Sequence, residues 1–193
     1  DFLTEKVKRY FSDPEFIYLL AVGNTRKEKN FNLLISSFKK VSESHKIKLI
    51  VLGALVEEFK DIDVNEYEAE NIYFLGSVEN VQDYMKCSDF LCMTSKYEGM
   101  PITLLEAMAN DLIPIVTPVS GIIDIIDQNY NGIISNDSSV KSYSEALNFA
   151  ILLPEFNRKK MRNNGSKLYK NKYSMKICEA NYYQFYTDLI NIK

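Results

Sequence analysis

Two glutamates separated by seven residues, Glu98 and Glu106, lie on either side of a junction between a loop and a predicted helix. Gly99 and Pro101 stand between them, and the apolar run that begins at Pro101 predicts a helix over 101–110. Glu106 falls inside this apolar run. An unpaired carboxylate is costly to bury, so Glu106 either has an internal partner or faces a cleft where a polar ligand meets it.

The first turn of this predicted helix is suited to a phosphate. The backbone N–H groups of Ile102 and Thr103 have no partner within the helix and lie at the positive end of its dipole. Gly99 permits close approach of a ligand to the backbone. Glu106 could accept hydrogen bonds from a ribose diol, and Glu98 could meet a hydroxylated group beyond the phosphates. The pattern predicts a nucleotide joined to a sugar; the alternative is a solvated Glu98 and an internally paired Glu106.

A basic loop follows the first predicted strand, in the sequence "VGNTRKEKN". Arg26, Lys27 and Lys29 in this loop could neutralise a diphosphate without a metal ion. The alternative is an ordinary solvated basic loop. Neither a GxxxxGK[ST] nor a GxGxxG pattern follows any predicted strand, which argues against a P-loop and against NAD or FAD.

Composition excludes several other classes of protein. The chain has 193 residues, a net charge of −3 and a single histidine, His45. The charge argues against a strongly basic nucleic-acid binder, and we expect no nucleic-acid partner. Cys87, Cys92 and Cys178 are scattered, which argues against zinc, disulfides and nucleophilic triads and favours packed thiols in a reducing compartment. The N-terminal residues do not resemble a signal peptide, and because they lack Met we expect an internal cut of a longer protein.

Strand and helix patterns alternate along the chain, which predicts an α/β fold with a Rossmann-like parallel sheet flanked by helices on both faces. We expect one domain over 1–193, with its α/β core at about 16–136 and a helical C-terminal tail at 139–190. Ligands bind at the carboxyl ends of strands in such sheets. The predicted strands are 16–23, 46–53, 71–76, 89–95, 112–118 and 131–136, and the predicted core helices are 30–44 with Asn30 as N-cap, part of 55–70, 78–88 and 101–110.

Several segments together resemble the C-terminal, donor-binding domain of retaining glycosyltransferases with the GT-B fold, in the large bacterial family that makes capsule, O-antigen and other surface glycans. The resemblance runs from about Phe16 to the C-terminal helix. Its strongest element is the Glu98–Glu106 spacing with "LLEAMA" around the second acid. The segments are "VGNTRKEKNFNLLISSF", "FLGSV", "SDFLCMTSKYEGMPITLLEAMANDLIPIVTPVSGIIDII" and "NGII".

The resemblance implies a role for each predicted site residue. Glu106 would bind the ribose hydroxyls of a nucleotide-sugar. Glu98 would contact the donor sugar beside the reacting centre and is the expected catalytic residue. The N–H groups of Ile102 and Thr103 would hold the diphosphate, and Lys29 would neutralise it. The family needs no metal, so we expect neither a metal nor another cofactor.

Other implied positions match the family less closely. The backbone near Ser77 and Val78 would meet the base. The family usually has Arg directly after "VG", where this chain has Asn24, and Arg26 is the candidate to replace that cation. Asp124 stands where Glu is more common, and could shape the cleft without being catalytic.

The resemblance also implies what the whole protein does. A retaining hexosyltransferase would transfer sugar from a UDP-sugar to a glycan or lipid-linked acceptor during polysaccharide biosynthesis. It would work in the cytoplasm, at the inner face of the membrane through the full-length protein. The acceptor would bind mainly to an N-terminal domain absent from these residues, so this piece alone would be inactive. The aromatic segment 182–190 would reach that domain, or else pack within this one.

Two other classes of function remain open from the residues. One is a nucleotide-binding module without catalysis, which regulates or scaffolds a partner. The other is a related GT-B enzyme, such as a sugar-nucleotide epimerase or a phosphorylase. An epimerase would be expected to carry more acid/base histidines, and a phosphorylase needs a pyridoxal lysine.

Overall fold

The computed structural model of the protein describes residues 5–191, so residues 1–4 and 192–193 of the predicted domain lie outside the described residues. Six strands form one sheet in the order β3-β2-β1-β4-β5-β6, and every neighbouring pair is parallel. This confirms the predicted Rossmann-like sheet. The strands are β1 (Ile17–Val22), β2 (Ile47–Leu52), β3 (Ile72–Phe74), β4 (Phe90–Met93), β5 (Ile113–Val116) and β6 (Ile133–Ile134).

Helices connect the strands and form the C-terminal tail, as predicted. A π-helical turn, Tyr169–Tyr173, joins the last two helices. The helices are α1 (Glu5–Lys8), α2 (Phe31–Ser42), α3 (Val64–Glu68), α4 (Val81–Cys87), α5 (Ile102–Ala109), α6 (Val140–Leu152), α7 (Glu155–Leu168) and α8 (Met175–Asn191).

Successive strand residues point to opposite faces of the sheet and enter two separate cores. Leu19 packs with α2 and α6 on one face. Leu20, its neighbour in β1, packs with α4 and α5 on the other. Both faces are therefore covered, which explains why the strands read as continuous apolar runs rather than as alternating ones.

One local prediction in this part of the chain needs correction. Asn30 occupies the position before α2, but its backbone is left-handed and its side chain makes no capping hydrogen bond. The helix predicted within the polar segment 55–70 is confirmed as the five-residue α3, which follows a 3₁₀ turn, Glu57–Phe59. This helix is short because the segment has few apolar residues to bury.

The edge strand β6 is shorter than the predicted 131–136. The buried Asn131 belongs instead to a turn, where its side chain accepts a hydrogen bond from Asp127 N and donates one to Ile125 O. On the open edge, the Gln128 side-chain oxygen accepts from Ile134 N at 2.6 Å, and its amide donates to Ile134 O at 3.2 Å. The Gln128 side chain thus occupies the bonding positions that an added strand would use.

The C-terminal helices differ in how firmly they are held. The guanidinium of Arg162 on α7 bonds Asp89 at the start of β4, at 3.3 Å. By contrast, α8 exposes many of its large side chains, among them Tyr183 and Ile190. No helix within residues 5–191 is both long and apolar enough to cross a membrane.

Candidate functional site

The strand order reverses between β1 and β4. From β1 the chain continues outward to β2, and from β4 it continues the opposite way to β5. The loops after β1 and β4 therefore diverge and leave a crevice at the carboxyl end of the sheet, where ligands bind in open α/β folds. The predicted site residues of both loops lie at this crevice.

Three hydrogen bonds join the two loops. The buried hydroxyl of Thr94, directly after β4, donates to the carbonyls of Lys29 and Asn30 at 3.0 and 3.1 Å. The backbone N–H of Lys96 donates to Glu28 O at 2.8 Å. These bonds fix the backbone of the two loops relative to each other on both sides of the crevice.

An ion pair spans the crevice. Lys29 Nζ lies 2.7 Å from Glu98 Oε1, and the side chains are 32% and 13% exposed. Ser95 Oγ donates to the same carboxylate oxygen at 2.6 Å. Ser95 is itself held, because Thr117 Oγ1 donates to its carbonyl at 2.7 Å. Glu98 is therefore oriented from two loops, which rules out the alternative of a solvated Glu98.

Two carboxylate groups at the site keep capacity for a ligand. Both bonds to Glu98 use Oε1, and no described residue hydrogen-bonds to its Oε2. The half-buried side chain of Glu106 makes neither a hydrogen bond nor an ion pair with any residue in the part of the chain that the structure describes. The alternative of an internally paired Glu106 is thereby removed, and its binding of a ribose diol stays a prediction.

The start of α5 offers backbone donors beside Glu98. Pro101 occupies the position before the helix and supplies no side-chain cap. Its carbonyl accepts from Leu104 N, but the N–H groups of Ile102 and Thr103 have no acceptor within residues 5–191. These two donors lie at the positive end of the helix dipole and are available to an anion.

Glycines allow the neighbouring loops to touch. A Cβ on Gly121 would lie 1.9 Å from the carbonyl oxygen of Gly99, and Gly121 has φ +79°. A Cβ on Gly53 would lie 2.1 Å from the carbonyl oxygen of Gly23. The loop after β5 thus supports the Glu98–Gly99 backbone, and the loop after β2 supports the loop after β1. Gly99 itself faces open space, as a residue approached by a ligand would.

The remaining predicted residues lie around this centre. The Asn24 side chain accepts from Ala54 N at 2.9 Å, so it holds two loops together. The exposed Arg26 forms no ion pair with Glu98. Its guanidinium lies 4.0 Å from Glu28, and the side chain lines a cavity of about 110 Å³ with Lys27 and Lys96.

The predicted base-binding segment lies further along the same edge of the sheet. Ser77 is exposed and Val78 is half-buried. Both follow Gly76, whose carbonyl accepts from Gly53 N at 2.8 Å. Because Gly53 in turn packs on Gly23, the loops after β3, β2 and β1 form a continuous line leading to Lys29.

The cysteines have no place in this site. Cys92 is buried inside β4, and burial raises the pKa of its thiol to about 12, so it is not a nucleophile at neutral pH. Cys87 and Cys178 are free and half-buried. Among residues 5–191, no three His, Cys, Asp or Glu side chains are grouped so that they could hold a metal ion.

Sequence reasoning missed the groups that support the site. Thr94, Thr117 and Gly121 bond or contact residues that are distant in the sequence, so only the strand order reveals their roles. Ser95 bonds Glu98, which is three residues away. The polar pair Thr94–Ser95, directly after the continuous apolar β4, was the one available signal.

The parallel sheet with helices on both faces is a Rossmann-like domain, of the kind that forms one half of the GT-B fold. The family model for "Glycosyl transferases group 1" matches residues 4–168, and the chain belongs to this family.

Three proteins illustrate the similarity. The capsular polysaccharide biosynthesis glycosyltransferase CapM of Staphylococcus aureus is 29% identical over 161 residues, which are 81% of this chain and 42% of CapM. The C-terminal domain of the group 1 protein LpcC from Francisella tularensis superposes with a TM-score of 0.71 at 21% identity, covering 89% of this chain and 95% of that domain. Anabaena HepE, solved with UDP and glucose, superposes with a TM-score of 0.79 at 13% identity, covering 94% of this chain and 51% of HepE. The chain thus spans less than half of CapM and about half of HepE.

Proposed function

We propose that the crevice binds a nucleotide-sugar and that the protein transfers the sugar, with retention at the anomeric carbon, to a glycan or lipid-linked acceptor. The observation that carries the proposal is the ion pair of Lys29 and Glu98 across the crevice. It lies beside free helix N–H groups and near a Glu106 carboxylate without a protein partner. A cation, two free amides and two carboxylates match a diphosphate joined to two hydroxylated groups.

Each group has a distinct role in this proposal. The N–H groups of Ile102 and Thr103 and the ammonium of Lys29 bind the diphosphate without a metal ion. Glu106 accepts hydrogen bonds from the ribose diol. Glu98 uses its free Oε2 to accept from hydroxyls of the sugar, while Lys29 and Ser95 hold Oε1.

The proposed transfer takes place on one face of the sugar. The bond between the anomeric carbon and the diphosphate oxygen breaks, and the acceptor oxygen bonds to the same face of that carbon. The acceptor proton passes to the departing phosphate. Negative charge grows on the leaving diphosphate, where the start of α5 and Lys29 stabilise it because they are already in place.

UDP is the proposed nucleotide. The support is the fold shared with HepE, which was solved with UDP and glucose. The proposed acceptor class is supported by the similarity to CapM, a capsular polysaccharide enzyme. The base itself would meet the backbone near Ser77 and Val78.

Calorimetry with a panel of UDP-, GDP- and ADP-sugars tests the donor proposal. We expect a UDP-sugar to bind most tightly. Binding of none of the panel would overturn the proposal. Binding without transfer by any longer form of the protein would instead favour a non-catalytic nucleotide-binding module. Conversion of the donor into an isomeric sugar nucleotide would favour an epimerase.

We also propose that the acceptor is held by a second domain outside these 193 residues. Transfer needs an acceptor hydroxyl fixed beside the anomeric carbon and water kept out, and one crevice encloses only one side. One support is that the match to this chain covers only 42% of the length of CapM. The other is the exposure of large side chains on α8: Tyr183 is 75% exposed, Tyr186 58% and Ile190 75%.

A transfer assay tests this second proposal. With labelled donor and a pool of lipid-linked acceptors, the 193-residue chain should bind donor but transfer little or no sugar beside a full-length protein. Comparable rates from the two would refute it.

A further inference from the structure

Residues 156–178 carry eight cationic side chains and no acidic one, in a chain whose net charge is −3. This segment spans most of α7, the π-helical turn and the start of α8. A cluster of positive charges of this size produces a strong positive potential around the segment, even though the net charge of the whole chain is negative.

Two of the eight cations serve the fold. Arg158 donates to two backbone carbonyls at the end of α6, at 2.9 and 3.1 Å. Arg162 bonds Asp89 and Glu155 at 3.3 and 2.8 Å. The other six are exposed lysines that form no ion pair or side-chain hydrogen bond with any residue in the described range 5–191: Lys159, Lys160, Lys167, Lys170, Lys172 and Lys176.

Some exposed lysines on other helices have acidic partners. Lys8 pairs with Glu5 at 3.4 Å, and Lys86 pairs with Asp83 at 3.9 Å. Lys39 reaches Glu70, on a different element, at 2.6 Å. Lys40 and Lys141 are exposed without an ion pair among residues 5–191, but each has a glutamate about one turn further along the chain, Glu43 and Glu145. The six lysines above, which we call the lysine stripe, differ because they follow one another in a segment that contains no acidic residue.

The part of the stripe on α7, which comprises Lys159, Lys160 and Lys167, lies on one side of that helix. Phe156, Lys160, Asn163 and Lys167 follow one another at spacings of four, three and four residues, which places them on one helical face. The opposite face is buried and includes Met161. The lysines therefore face away from the sheet and are free to meet a large partner.

Apolar side chains flank the stripe. Phe156, at the start of α7, is 79% exposed, and Met175, directly after the π-helical turn, is 81% exposed. Lysines interleaved with exposed apolar groups form the pattern by which helices rest on a lipid surface. The cations then meet anionic headgroups, and the apolar groups enter the boundary with the acyl chains.

We infer that the lysine stripe docks this protein onto an anionic lipid surface. Its exposed cations are all lysines. Lysine is a compact, hydrated point charge suited to a diffuse anionic surface, whereas nucleic acids and single phosphates are commonly read by the planar fork of arginine. The inference does not rest on the proposed donor site, because none of its residues lies in the crevice.

Vesicle co-sedimentation of the 193-residue chain tests the inference. Phosphatidylcholine vesicles, with and without about one third phosphatidylglycerol, are compared at about 0.1 M salt and at about 1 M salt, where the Debye length is roughly 3 Å. Binding is expected only to the anionic vesicles at low salt. The triple variant Lys160→Gln, Lys167→Gln, Lys170→Gln should bind roughly tenfold or more weakly, because each lysine near the membrane contributes separately.

A matched variant carries Lys40→Gln, Lys60→Gln and Lys141→Gln, three exposed lysines away from the stripe. It has the same net charge as the test variant and should bind like the original chain. Equal loss in both variants would overturn the inference, as would equal binding to neutral vesicles or no binding at all. Binding to a polyanionic glycan without binding to the anionic vesicles would also overturn the inference, because the ligand of the stripe would then be a soluble polymer. Circular dichroism checks that both variants fold.

Discussion

Lysine is used in two opposite ways in this molecule. In the crevice, Lys29 is 32% exposed and lies 2.7 Å from Glu98, which Ser95 also holds. In the lysine stripe, which runs from α7 through the π-helical turn to the start of α8, every lysine is exposed and none has an ion-pair partner among residues 5–191. A cation fixed by a partner can contact one small ligand in one position, whereas unpaired cations respond to the summed charge of a surface.

The surroundings of the two regions differ in the same way. The crevice is formed by loops that touch at glycines and share backbone hydrogen bonds, so its groups are positioned before a ligand arrives. The outer face of α7 has no such contacts. Pre-organisation stabilises a transition state efficiently, because no groups must reorganise during the reaction. We therefore expect substitutions in the crevice to alter donor binding and sugar transfer, and substitutions in the stripe to alter binding to anionic lipid surfaces.

The largest expected effect comes from removing the partner of Lys29. Glu98→Ala leaves Lys29 unpaired, like a member of the stripe, and removes the proposed contact to the sugar. In a form of the protein that transfers sugar, kcat should fall by about 10²–10³, while the Kd for plain nucleoside diphosphate changes little. Transfer kinetics and calorimetry measure the two quantities. Equal losses in both would contradict the assignment of Glu98 to the sugar.

A smaller effect is expected at Glu106, whose side chain has no bonding partner among residues 5–191. Glu106→Gln should weaken nucleotide binding by about 1.5–3 kcal/mol, because the ligand loses charge-assisted hydrogen bonds. The melting temperature should stay unchanged. Glu66→Gln, at an exposed acid on α3, is the control. A collapse of the melting temperature with unaltered affinity would mean that Glu106 is structural.

A pair of glycine substitutions distinguishes a glycine that supports the neighbouring loop, Gly121, from one that is expected to face the ligand, Gly99. Gly121→Ala would force a Cβ to 1.9 Å from Gly99 O at a positive φ, and should lower the free energy of unfolding by about 1–3 kcal/mol. Gly99→Ala faces open space, so it should leave stability unchanged while it obstructs the ligand. Denaturant unfolding and donor titration of both variants measure this. The prediction fails if the two variants lose stability alike.

The smallest expected effect is that of removing metal ions. If Lys29 and the start of α5 supply the positive charge, a chelator such as EDTA should leave donor binding unaltered. Calorimetry before and after chelation is the measurement. A strict need of donor binding for Mg²⁺ or Mn²⁺ would contradict this prediction, because Lys29 and the start of α5 would then be insufficient to neutralise the diphosphate.

The sequence predicted the sheet well because strands buried on both faces are continuous apolar runs. It failed at Asn30, whose side chain does not cap α2. At the candidate site, Glu98 and Lys29 could be singled out from their types and spacing together with the family resemblance, and their roles stay predictions. The contacts of Thr94 and Gly121 could not be foreseen, because they depend on which strands and loops become neighbours.

The distance in sequence between Lys29 and Glu98 has a consequence for folding. The two residues are 69 positions apart, and Thr94 bonds the backbone of Lys29 from 65 positions away. Contacts of such long range form late, after β1 and β4 have paired. A partly synthesised or half-folded chain therefore has no crevice, and a bound nucleotide would stabilise only molecules in which both halves of the sheet have joined.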